Sequence, residues 1–482
     1  MKRAGAQVRF FSLAEAAAAA GGGFFPPSAA ELELSSAFKV DSRQVVAGDV
    51  FVALKGERLD GHDFVAAAIE RGASCVVVNG DFFRRERSSL ELAGVTAIVI
   101  EDGESGLVAL ATEWLERISP QVVGITGSVG KTTTREMLRA ALGNGLRIHA
   151  AIRSYNTLIG CSMTILGMPV DAEVLILELG TNRPGEIAEL TEKFPVTHAV
   201  ITEVAPAHLE GLKSLEGVLA AKMEIARSRR LEYLSYNYDN VALRTAIQSF
   251  ASKRGGNKLR ITGVGVGVDA DIVISDVAQT LDVEGSARLS FSISAGDENV
   301  CCTAGIFGSQ HAKNIAFAYA VARELDVPDD AFVSRMRGIE LSPGRGRIHK
   351  TVSGGLVVDE SYNANPNSVS MALRNLLEVE LPEGFRRIAV LGGMRELGEE
   401  SLRWHEVIMS RAGLFDDVYL IGPEWEAVQT RQPSLKGRYL DTARFVEAVG
   451  GSDFSRAVVL VKGSRYYELE GVLPLLVGGR RS

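Results

Sequence analysis

Short apolar runs alternate with longer amphipathic stretches along most of the chain. A continuous apolar run bounded by polar or turn-forming residues is typical of a strand in a parallel sheet that is covered on both faces. The stretches between the runs repeat their apolar residues with the period of a helix. The pattern predicts an α/β protein, with strands at residues 49–54, 75–78, 96–100, 122–125, 174–180, 199–202, 356–359, 388–391, 418–421 and 458–461.

The chain divides into three predicted domains. Its length of 482 residues favours about three such units. Residues 1–103 form a first α/β unit, residues 104–340 a central unit with a parallel sheet, and residues 341–482 a Rossmann-like unit of alternating strands and helices. Residues 342–347 are predicted to be a linker. Helices are predicted at 64–71, 107–118, 134–142, 214–227 and 308–325, and strands with hairpins at 256–304.

Composition indicates a globular protein. The sequence is 46% apolar and 23% charged, and its net charge of −8 argues against a protein that coats nucleic acid or anionic membrane. We expect the four cysteines to be reduced, buried thiols of a cytoplasmic protein. No stretch is long and apolar enough to span a membrane, and no signal peptide is convincing.

A glycine-rich turn follows the apolar run at 122–125. It reads T-G-S-V-G-K-T at residues 126–132, with Ile125 where the general phosphate-loop pattern has glycine. Such a turn aims backbone N–H groups at one point, where the N-terminus of the next helix adds partial positive charge. Lys131 then reaches terminal phosphates and Thr132 ligates Mg2+. The alternative is a glycine turn and a helix that begins with lysine and binds nothing.

Polar residues follow two further strands of the predicted sheet. Glu178 ends one apolar run, and His208 lies in the loop after the next. Site residues of parallel sheets gather at the carboxyl ends of strands, so Glu178 is a natural Mg2+ ligand. It is otherwise the first exposed residue after the strand. For His208, a metal or phosphate role and a structural role stay equally open.

Lys222 falls on the apolar stripe of a predicted helix. Leu215, Val218 and Leu219 mark that stripe. A lysine on a buried face needs a carboxylate, a phosphate or loss of its charge. The plainer alternative, slightly favoured by the pattern alone, lays its stem on the core while the ammonium reaches water.

Some polar residues have ordinary structural explanations. His311 and Asn314 begin a helix, where they face a ligand or act as capping and polar-face residues. Asn365 fits the N-cap of a helix whose first position is Pro366. The clusters at 41–43 and 55–63 are, taken alone, more typical of solvated loops.

Taken together and in order, these motifs resemble the Mur ligase family of peptidoglycan precursor synthesis. The similarity runs from Asp41 to Glu470, and its most specific segments match the branch that adds D-alanyl-D-alanine. The motifs are D-S-R at 41–43, L-K-G-E at 54–57 with D-G-H-D-F at 60–64, the phosphate loop, E-L-G-T-N at 178–182 with G-E-I at 185–187, A-H-L-E at 207–210, A-K-M-E-I at 221–225, Y-N-A-N-P at 362–366 and L-G-G-M-R-E-L-G at 391–398.

The resemblance implies roles for individual residues. Positions matching ATP contacts are Gly127, Ser128, Gly130, Lys131, Thr132, Thr133, Asn314 (adenine), Arg345 and Asp359 (closure on the nucleotide). Positions matching substrate contacts are Ser42 and Arg43 (near UDP), Asn156, Asn182, Asn363 and Asn365. Thr132, Glu178 and His208 match the metal site, and the implied catalytic set is Lys131, His208 and Lys222. Lys222 matches a lysine that several members carry as a carbamate.

The implied fold is a UDP-substrate domain, a central ATPase domain and a Rossmann-like third domain. The implied activity is ATP-dependent ligation of D-alanyl-D-alanine to a UDP-N-acetylmuramoyl tripeptide through an acyl phosphate, with Mg2+, in a cytoplasmic monomer. It requires no nucleic acid or membrane partner. The third stem-peptide residue and carbamylation of Lys222 stay open.

The chain departs from the family pattern at four positions. Tyr155 replaces one of two paired asparagines, Cys161 a proline, Thr181 an alanine and Glu203 an asparagine. None of them lies in the phosphate loop.

Three alternatives differ from this interpretation. A folylpolyglutamate-synthetase-like ligase begins close to its phosphate loop, whereas about a hundred residues precede it here. The ligase that adds the third amino acid carries Asn-Pro-Arg where this chain has Y-N-A-N-P. A nucleotide-binding regulator need not keep Lys131, Thr132, Glu178 and His208 together.

Overall fold

Three separate β-sheets, each flanked by helices, are formed by the residues that the structure describes. The computed structural model describes residues 9–34, 37–56, 58–151, 155–254, 259–450 and 452–478. The sheets contain five, nine and six strands in chain order. The predicted three-domain α/β architecture is therefore the observed one. Within the described ranges, no helix is both long and apolar enough to cross a membrane.

The first sheet has the strand order β1-β5-β4-β3-β2. Its strands are parallel except β1, which runs antiparallel to β5. The elements are α1 (Leu13–Ala19), β1 (Gly23–Phe25), β2 (Phe38–Lys39), β3 (Val50–Val52), α2 (Val65–Glu70), β4 (Cys75–Asn79), α3 (Gly80–Leu92) and β5 (Thr96–Ile100), with 3-10 turns at Pro27–Ala29, Ser42–Gln44 and Gly61–Phe64.

The central sheet has the order β14-β13-β12-β11-β10-β9-β6-β8-β7, parallel from β12 to β7 and antiparallel across β12, β13 and β14. Its strands are β6 (Gln121–Thr126), β7 (Ile148–Ala150), β8 (Val174–Glu178), β9 (His198–Ile201), β10 (Tyr233–Asn237), β11 (Arg260–Gly265), β12 (Ile272–Leu281), β13 (Ala287–Ala295) and β14 (Glu298–Ala304). Its helices are α4 (Gly103–Ile118), α5 (Lys131–Leu142), α6 (Leu158–Leu166), α7 (Glu186–Lys193), α8 (Leu209–Leu212), α9 (Leu215–Met223), α10 (Val241–Arg254), α11 (Gln310–Glu324) and α12 (Asp329–Arg337).

Helix α4 joins the first two domains through one continuous core. Trp114 is 1% exposed, stacks on Phe10 with ring centroids 5.4 Å apart, and donates from Nε1 to the Met168 carbonyl at 3.0 Å. One face of this indole thus contacts the first domain while its N–H satisfies a carbonyl of the second. Burial of such a side chain contributes on the order of 3 kcal/mol, which favours a fixed arrangement of the two domains.

The third sheet has the order β15-β16-β20-β17-β18-β19, with only β15 antiparallel to its neighbour. Its elements are β15 (Arg347–Lys350), β16 (Leu356–Glu360), α13 (Pro366–Glu378), β17 (Arg386–Gly392), α14 (Ser401–Ala412), β18 (Asp417–Ile421), β19 (Leu435–Tyr439), α15 (Thr442–Val449), β20 (Ala457–Lys462) and α16 (Leu473–Val477). Asn365 caps α13 and Pro366 is its first residue, as predicted.

Three local predictions need correction. The predicted linker is shorter, because Arg347 already begins β15. The helix predicted at 214–227 ends at Met223 and continues as a 3-10 turn, Glu224–Arg227. Cys301 is exposed whereas the other three cysteines are buried. Its neighbour Cys302 faces the core, and successive residues of a strand face opposite sides of the sheet.

Candidate functional site

The glycine-rich turn connects β6 to α5. Gly127 has φ +146° and Gly130 has φ +90°, a range that side chains disfavour. A Cβ at Gly127 would lie 2.1 Å from Thr202 Oγ1, and one at Gly130 would lie 2.8 Å from Asn314 Oδ1. Both positions therefore require glycine for conformation and for space. The turn leads directly into the N-terminus of α5 at Lys131.

Hydrogen bonds to the loop that follows β9 fix this turn. Ser128 donates from its backbone N–H to the Glu203 carbonyl at 2.9 Å and from Oγ to the Ala205 carbonyl at 2.8 Å. Thr202 Oγ1 donates to the Val129 carbonyl at 2.5 Å. The loop that follows β9 thus holds the turn in one conformation.

Lys131 folds back over the turn. Its Nζ donates to the Gly127 carbonyl at 2.6 Å. Burial lowers the pKa of Lys131 and the charge of Arg345 lowers it further, while Glu178 acts in the opposite direction. An anionic phosphate would relieve this crowding of positive charge.

Thr132 and Glu178 meet beneath the turn. Thr132 Oγ1 donates to Glu178 Oε2 at 3.1 Å, and Glu178 is 1% exposed. Arg135 forms a buried ion pair with the same carboxylate, Nη1 to Oε1 at 2.7 Å. A hydroxyl and a carboxylate supply the oxygen donors that Mg2+ prefers, so these two residues fit that ion.

Arg345 reaches the same place from the third domain's linker. Its Nη2 lies 3.3 Å from Thr132 Oγ1, and its guanidinium lies 4.0 Å from the centroid of the Tyr362 ring. Stacking on an aromatic face holds a guanidinium without neutralising it. Arg345 therefore adds a positioned cation to the phosphate loop.

The other residues predicted from the third domain have mainly structural contacts. Asp359 is 1% exposed; its Oδ2 accepts from Gly344 N at 2.8 Å and its Oδ1 from Ser361 Oγ at 2.6 Å. The Asn363 carbonyl accepts from Lys462 Nζ at 3.1 Å. Asn365 caps α13 and also donates from Nδ2 to the Ser128 carbonyl at 3.4 Å, so it reaches the phosphate loop.

Asn314 lies beside the phosphate loop, and its contact with adenine stays a prediction. It is buried, and its Oδ1 accepts from Thr134 Oγ1 at 3.4 Å. Together with Gly127, Ser128, Gly130, Lys131, Thr132, Thr133 and Arg345, it forms one contiguous set around the start of α5.

His208 contacts the third domain. It has φ +54° at the start of α8, and its Nδ1 lies 2.5 Å from Oε2 of Glu396, which has φ +65°. The Leu209 N–H donates to the Glu396 carbonyl at 3.0 Å. Among the described residues, no three His, Cys, Asp or Glu side chains group as a metal site. Assembly of His208 with Thr132 and Glu178 around a metal stays a prediction.

Lys222 is buried, with 1% of its surface exposed. The alternative in which its ammonium reaches water is therefore wrong, because the end of α9 packs this side chain inside the domain. Burial lowers the pKa of Lys222 well below its ordinary value and the charge of Lys131 lowers it further, while Glu224 and Glu186 act to raise it. Lys222 thus lies within electrostatic reach of the phosphate-loop lysine.

The other residues matched to substrate contacts lie on the first and central domains. Ser42 is buried in a 3-10 turn of the first domain, where Arg43 pairs with Asp41 at 2.8 Å. Asn156 packs against Gly180 in the central domain, since its carbonyl accepts from the Gly180 N–H at 2.9 Å. Asn182 is exposed at the start of the next loop. Their roles as substrate contacts stay predictions.

Sequence reasoning missed three participants. Arg135 lies one helical turn beyond Lys131, so its spacing alone places it beside the loop. Glu396 stood inside a recognised motif, but its partner lies in another domain. Glu224, another member of a recognised motif, accepts from Gly185 N at 2.8 Å and Ala188 N at 3.0 Å, which secures the start of α7.

The site consists of a strand, a glycine-dependent turn and a helix N-terminus, with Lys131, Arg135 and Arg345 around them. This arrangement is that of a phosphate-loop nucleotide-binding protein. Three family models match the chain: the Mur ligase middle domain at residues 125–322, the Mur ligase family catalytic domain at 36–114, and the Mur ligase glutamate ligase domain at 344–465.

Individual relatives agree with these matches. The UDP-N-acetylmuramoyl-tripeptide--D-alanyl-D-alanine ligase of Bacillus subtilis is 29% identical, covering 91% of this chain and 92% of the relative. The ligase of that name from Synechocystis is 30% identical, covering 76% and 74%. The crystal structure of MurF ligase from Thermotoga maritima in complex with ADP is 30% identical with a TM-score of 0.76, covering 92% and 97%. The chain belongs to the Mur ligase family, which confirms the predicted resemblance.

Proposed function

We propose that this protein joins D-alanyl-D-alanine to a UDP-N-acetylmuramoyl tripeptide at the expense of ATP, forming the pentapeptide precursor of peptidoglycan. One observation carries the assignment to this branch. The relatives named for that reaction match over nearly the whole chain, including the third domain that carries the Y-N-A-N-P and L-G-G-M-R-E-L-G motifs.

The proposed chemistry has two steps. The terminal carboxylate of the tripeptide attacks the γ-phosphorus of ATP, giving an acyl phosphate and ADP. The amine of D-alanyl-D-alanine then attacks the acyl carbon, so that an amide forms and inorganic phosphate leaves with a proton released. Lys131, Arg345 and the α5 N-terminus stabilise charge on the phosphoryl oxygens, and the domains align the reactants.

Thr132, Glu178 and His208 are the proposed Mg2+ ligands. The 3.1 Å contact between Thr132 and Glu178 supports the first two, because their oxygens already converge. Mg2+, when bound there, neutralises phosphate charge. Arg135 holds Glu178 from the opposite side and keeps its carboxylate in place.

Lys222 is proposed to carry a carbamate. Its neutral amine adds to carbon dioxide, forming an N–C bond and releasing one proton. Its burial supports this, since the product replaces a buried cation near Lys131 by an anion. That anion would attract Lys131 or a second Mg2+.

The remaining residues are proposed to hold substrates. Ser42 and Arg43 bind the UDP group, and the four asparagines contact the peptide portions: Asn156, Asn182, Asn363 and Asn365. Arg43 is exposed, so it is accessible to an anionic ligand. We place the enzyme in the cytoplasm as a monomer.

The first experiment measures phosphate release from ATP and Mg2+ with the tripeptide substrate, with and without D-alanyl-D-alanine. Phosphate release that requires both the tripeptide and D-alanyl-D-alanine supports the proposal. Lys131→Ala should abolish release while circular dichroism stays unchanged, because the cation over the turn is lost. Lys193→Ala, an exposed lysine at the end of α7, is the matched control.

Other outcomes identify the alternatives. Release with a different amine keeps the acyl-phosphate chemistry but assigns another branch of ligases. ATP binding without release under any pairing indicates a nucleotide-binding regulator.

A further inference from the structure

Glu203 occupies a junction between four elements of the central domain. Its carbonyl accepts the Ser128 N–H of the phosphate loop at 2.9 Å. Its Oε2 accepts from Asn237 Nδ2 at 2.8 Å, at the end of β10. Its Oε1 accepts from Asn240 Nδ2 at 2.6 Å and from the Val204 N–H at 2.9 Å. Both carboxylate oxygens are therefore used as acceptors.

The amide of Asn237 has only one usable orientation. Its Oδ1 accepts from Lys313 Nζ at 3.0 Å and from the Asp239 N–H at 3.2 Å. An ammonium and a backbone N–H can only donate, so the oxygen must face them and the NH2 group must face Glu203. Asn237 is 1% exposed, and a reversed amide there would turn its NH2 group toward the Asp239 N–H and the Lys313 ammonium.

Asn240 is fixed in the same way. Its Oδ1 accepts from the Leu243 N–H at 3.0 Å at the start of α10, and its Nδ2 also donates to the Val204 carbonyl at 2.8 Å. Two fixed NH2 groups thus converge on position 203. A carboxylate satisfies both, whereas an amide at this position must turn its own NH2 toward one of them.

The hydrogen-bond network around Glu203 extends to the first turn of α11, beside the phosphate loop. Lys313 pairs with Asp239 at 2.6 Å, and the next residue, Asn314, packs against Gly130 of the phosphate loop. The phosphate loop and the start of α11 are thereby connected through one chain of hydrogen bonds that includes Glu203.

We propose that Glu203 is a positioning residue for the nucleotide site, which sets the phosphate loop relative to α11 through Asn237 and Lys313. This inference rests on the proposed use of ATP. It accounts for a position at which the chain departs from the family pattern, because the carboxylate is matched to the two amide donors that face it.

The test is a set of four proteins studied by calorimetry with Mg2+ and ATP, without acceptors: wild type, Glu203→Gln, Asn237→Asp and the double variant. Glu203→Gln brings an NH2 group at position 203 against the NH2 group of a neighbouring asparagine. Asn237→Asp brings a carboxylate at position 237 against the carboxylate of Glu203. Each single variant should weaken ATP binding roughly tenfold. In the double variant every donor again faces an acceptor, and affinity should return to within about threefold of wild type.

Steady-state kinetics distinguish a specific effect on the ATP site from a general loss of enzyme structure. Glu203→Gln should raise KM for ATP by a similar factor while KM for the tripeptide and kcat change less than about threefold. Glu192→Gln, at an exposed carboxylate of α7, is the control and should leave both KM values and kcat unchanged.

Each outcome of these measurements either supports or contradicts the role of Glu203. ATP affinity of Glu203→Gln equal to wild type, or a double variant no better than the singles, overturns the role of Glu203. If Glu203→Gln does not fold, a folded double variant that binds ATP supports the pairing, and a double variant that also fails to fold overturns it. Wild-type protein that binds no ATP contradicts the proposed function itself, and with it this inference.

Discussion

His208 and Glu396 meet across the boundary between the central and third domains, with Nδ1 and Oε2 2.5 Å apart. Both residues have positive φ, an arrangement that costs energy for residues other than glycine. A backbone hydrogen bond from Leu209 to Glu396 accompanies the side-chain pair. The two loops therefore have complementary conformations. A carboxylate that contacts one imidazole nitrogen also orients the ring.

Glu396→Ala should loosen the docking of the third domain. The partly exposed pair contributes about 1 kcal/mol or less, so the ratio of docked to undocked protein should fall about fivefold at most. Small-angle scattering would show a larger mean radius of gyration. Glu399→Ala, at an exposed neighbour on the same loop, is the control, and an equal change in both variants would contradict a role for the pair.

Arg135→Met should destabilise the central domain strongly. It leaves the buried Glu178 carboxylate without the guanidinium at 2.7 Å, a loss that typically costs about 3–5 kcal/mol. Urea denaturation measures the change. Arg139→Met, one turn further along α5 and exposed, should cost less than about 0.5 kcal/mol. Equal stabilities for the two variants would show that the pair contributes little.

Lys222→Gln should abolish ligation while nucleotide binding persists, since the side chain is buried near Lys131 without belonging to the phosphate loop. Wild-type enzyme equilibrated with labelled bicarbonate should show a carbamate resonance by carbon-13 NMR that the variant lacks. A spectrum without that resonance would argue for an unmodified lysine.

His198 should make the central domain sensitive to acid. Burial, aided by the charge of Arg260, lowers the pKa of His198 to about 4 in the folded protein. The unfolded chain binds the proton near pH 6.5, so stability from this group is complete above that pH and is lost as pH falls toward 4. The melting temperature of His198→Gln should fall less steeply across this window than that of wild type. Parallel curves would contradict the assignment.

Local sequence patterns predicted the parts of the fold that depend on neighbouring residues. The phosphate loop requires glycine at positions 127 and 130 for conformation, so the motif itself specifies the turn. The apolar runs predicted the long buried strands, because a strand that is covered on both faces consists of consecutive apolar residues. Short edge strands such as Arg347–Lys350 were missed, because two of their four side chains are exposed and no apolar run marks them.

Contacts between elements that are distant in the sequence could not be derived from the sequence. Lys222 was recognised as anomalous, but only the packing of α9 shows that its ammonium is shielded. The partners of Glu203 and Glu396 depend on register and docking, which no local period encodes. The sequence therefore predicted which loops form the site more completely than how those loops are held.

The linker is anchored at both ends, and this determines where the third domain can turn. Ser342 Oγ donates to Glu136 of the central domain, whereas Gly344 N donates to Asp359 and Gly346 N to the Asp359 carbonyl at 2.7 Å. Gly344 thus moves with the third domain and Ser342 with the central one. Pro343 alone lies between them, and its ring fixes φ. The Arg345 N–H also donates to the Ser342 carbonyl at 3.2 Å across this proline, so rotation of the third domain at the linker requires this turn to open.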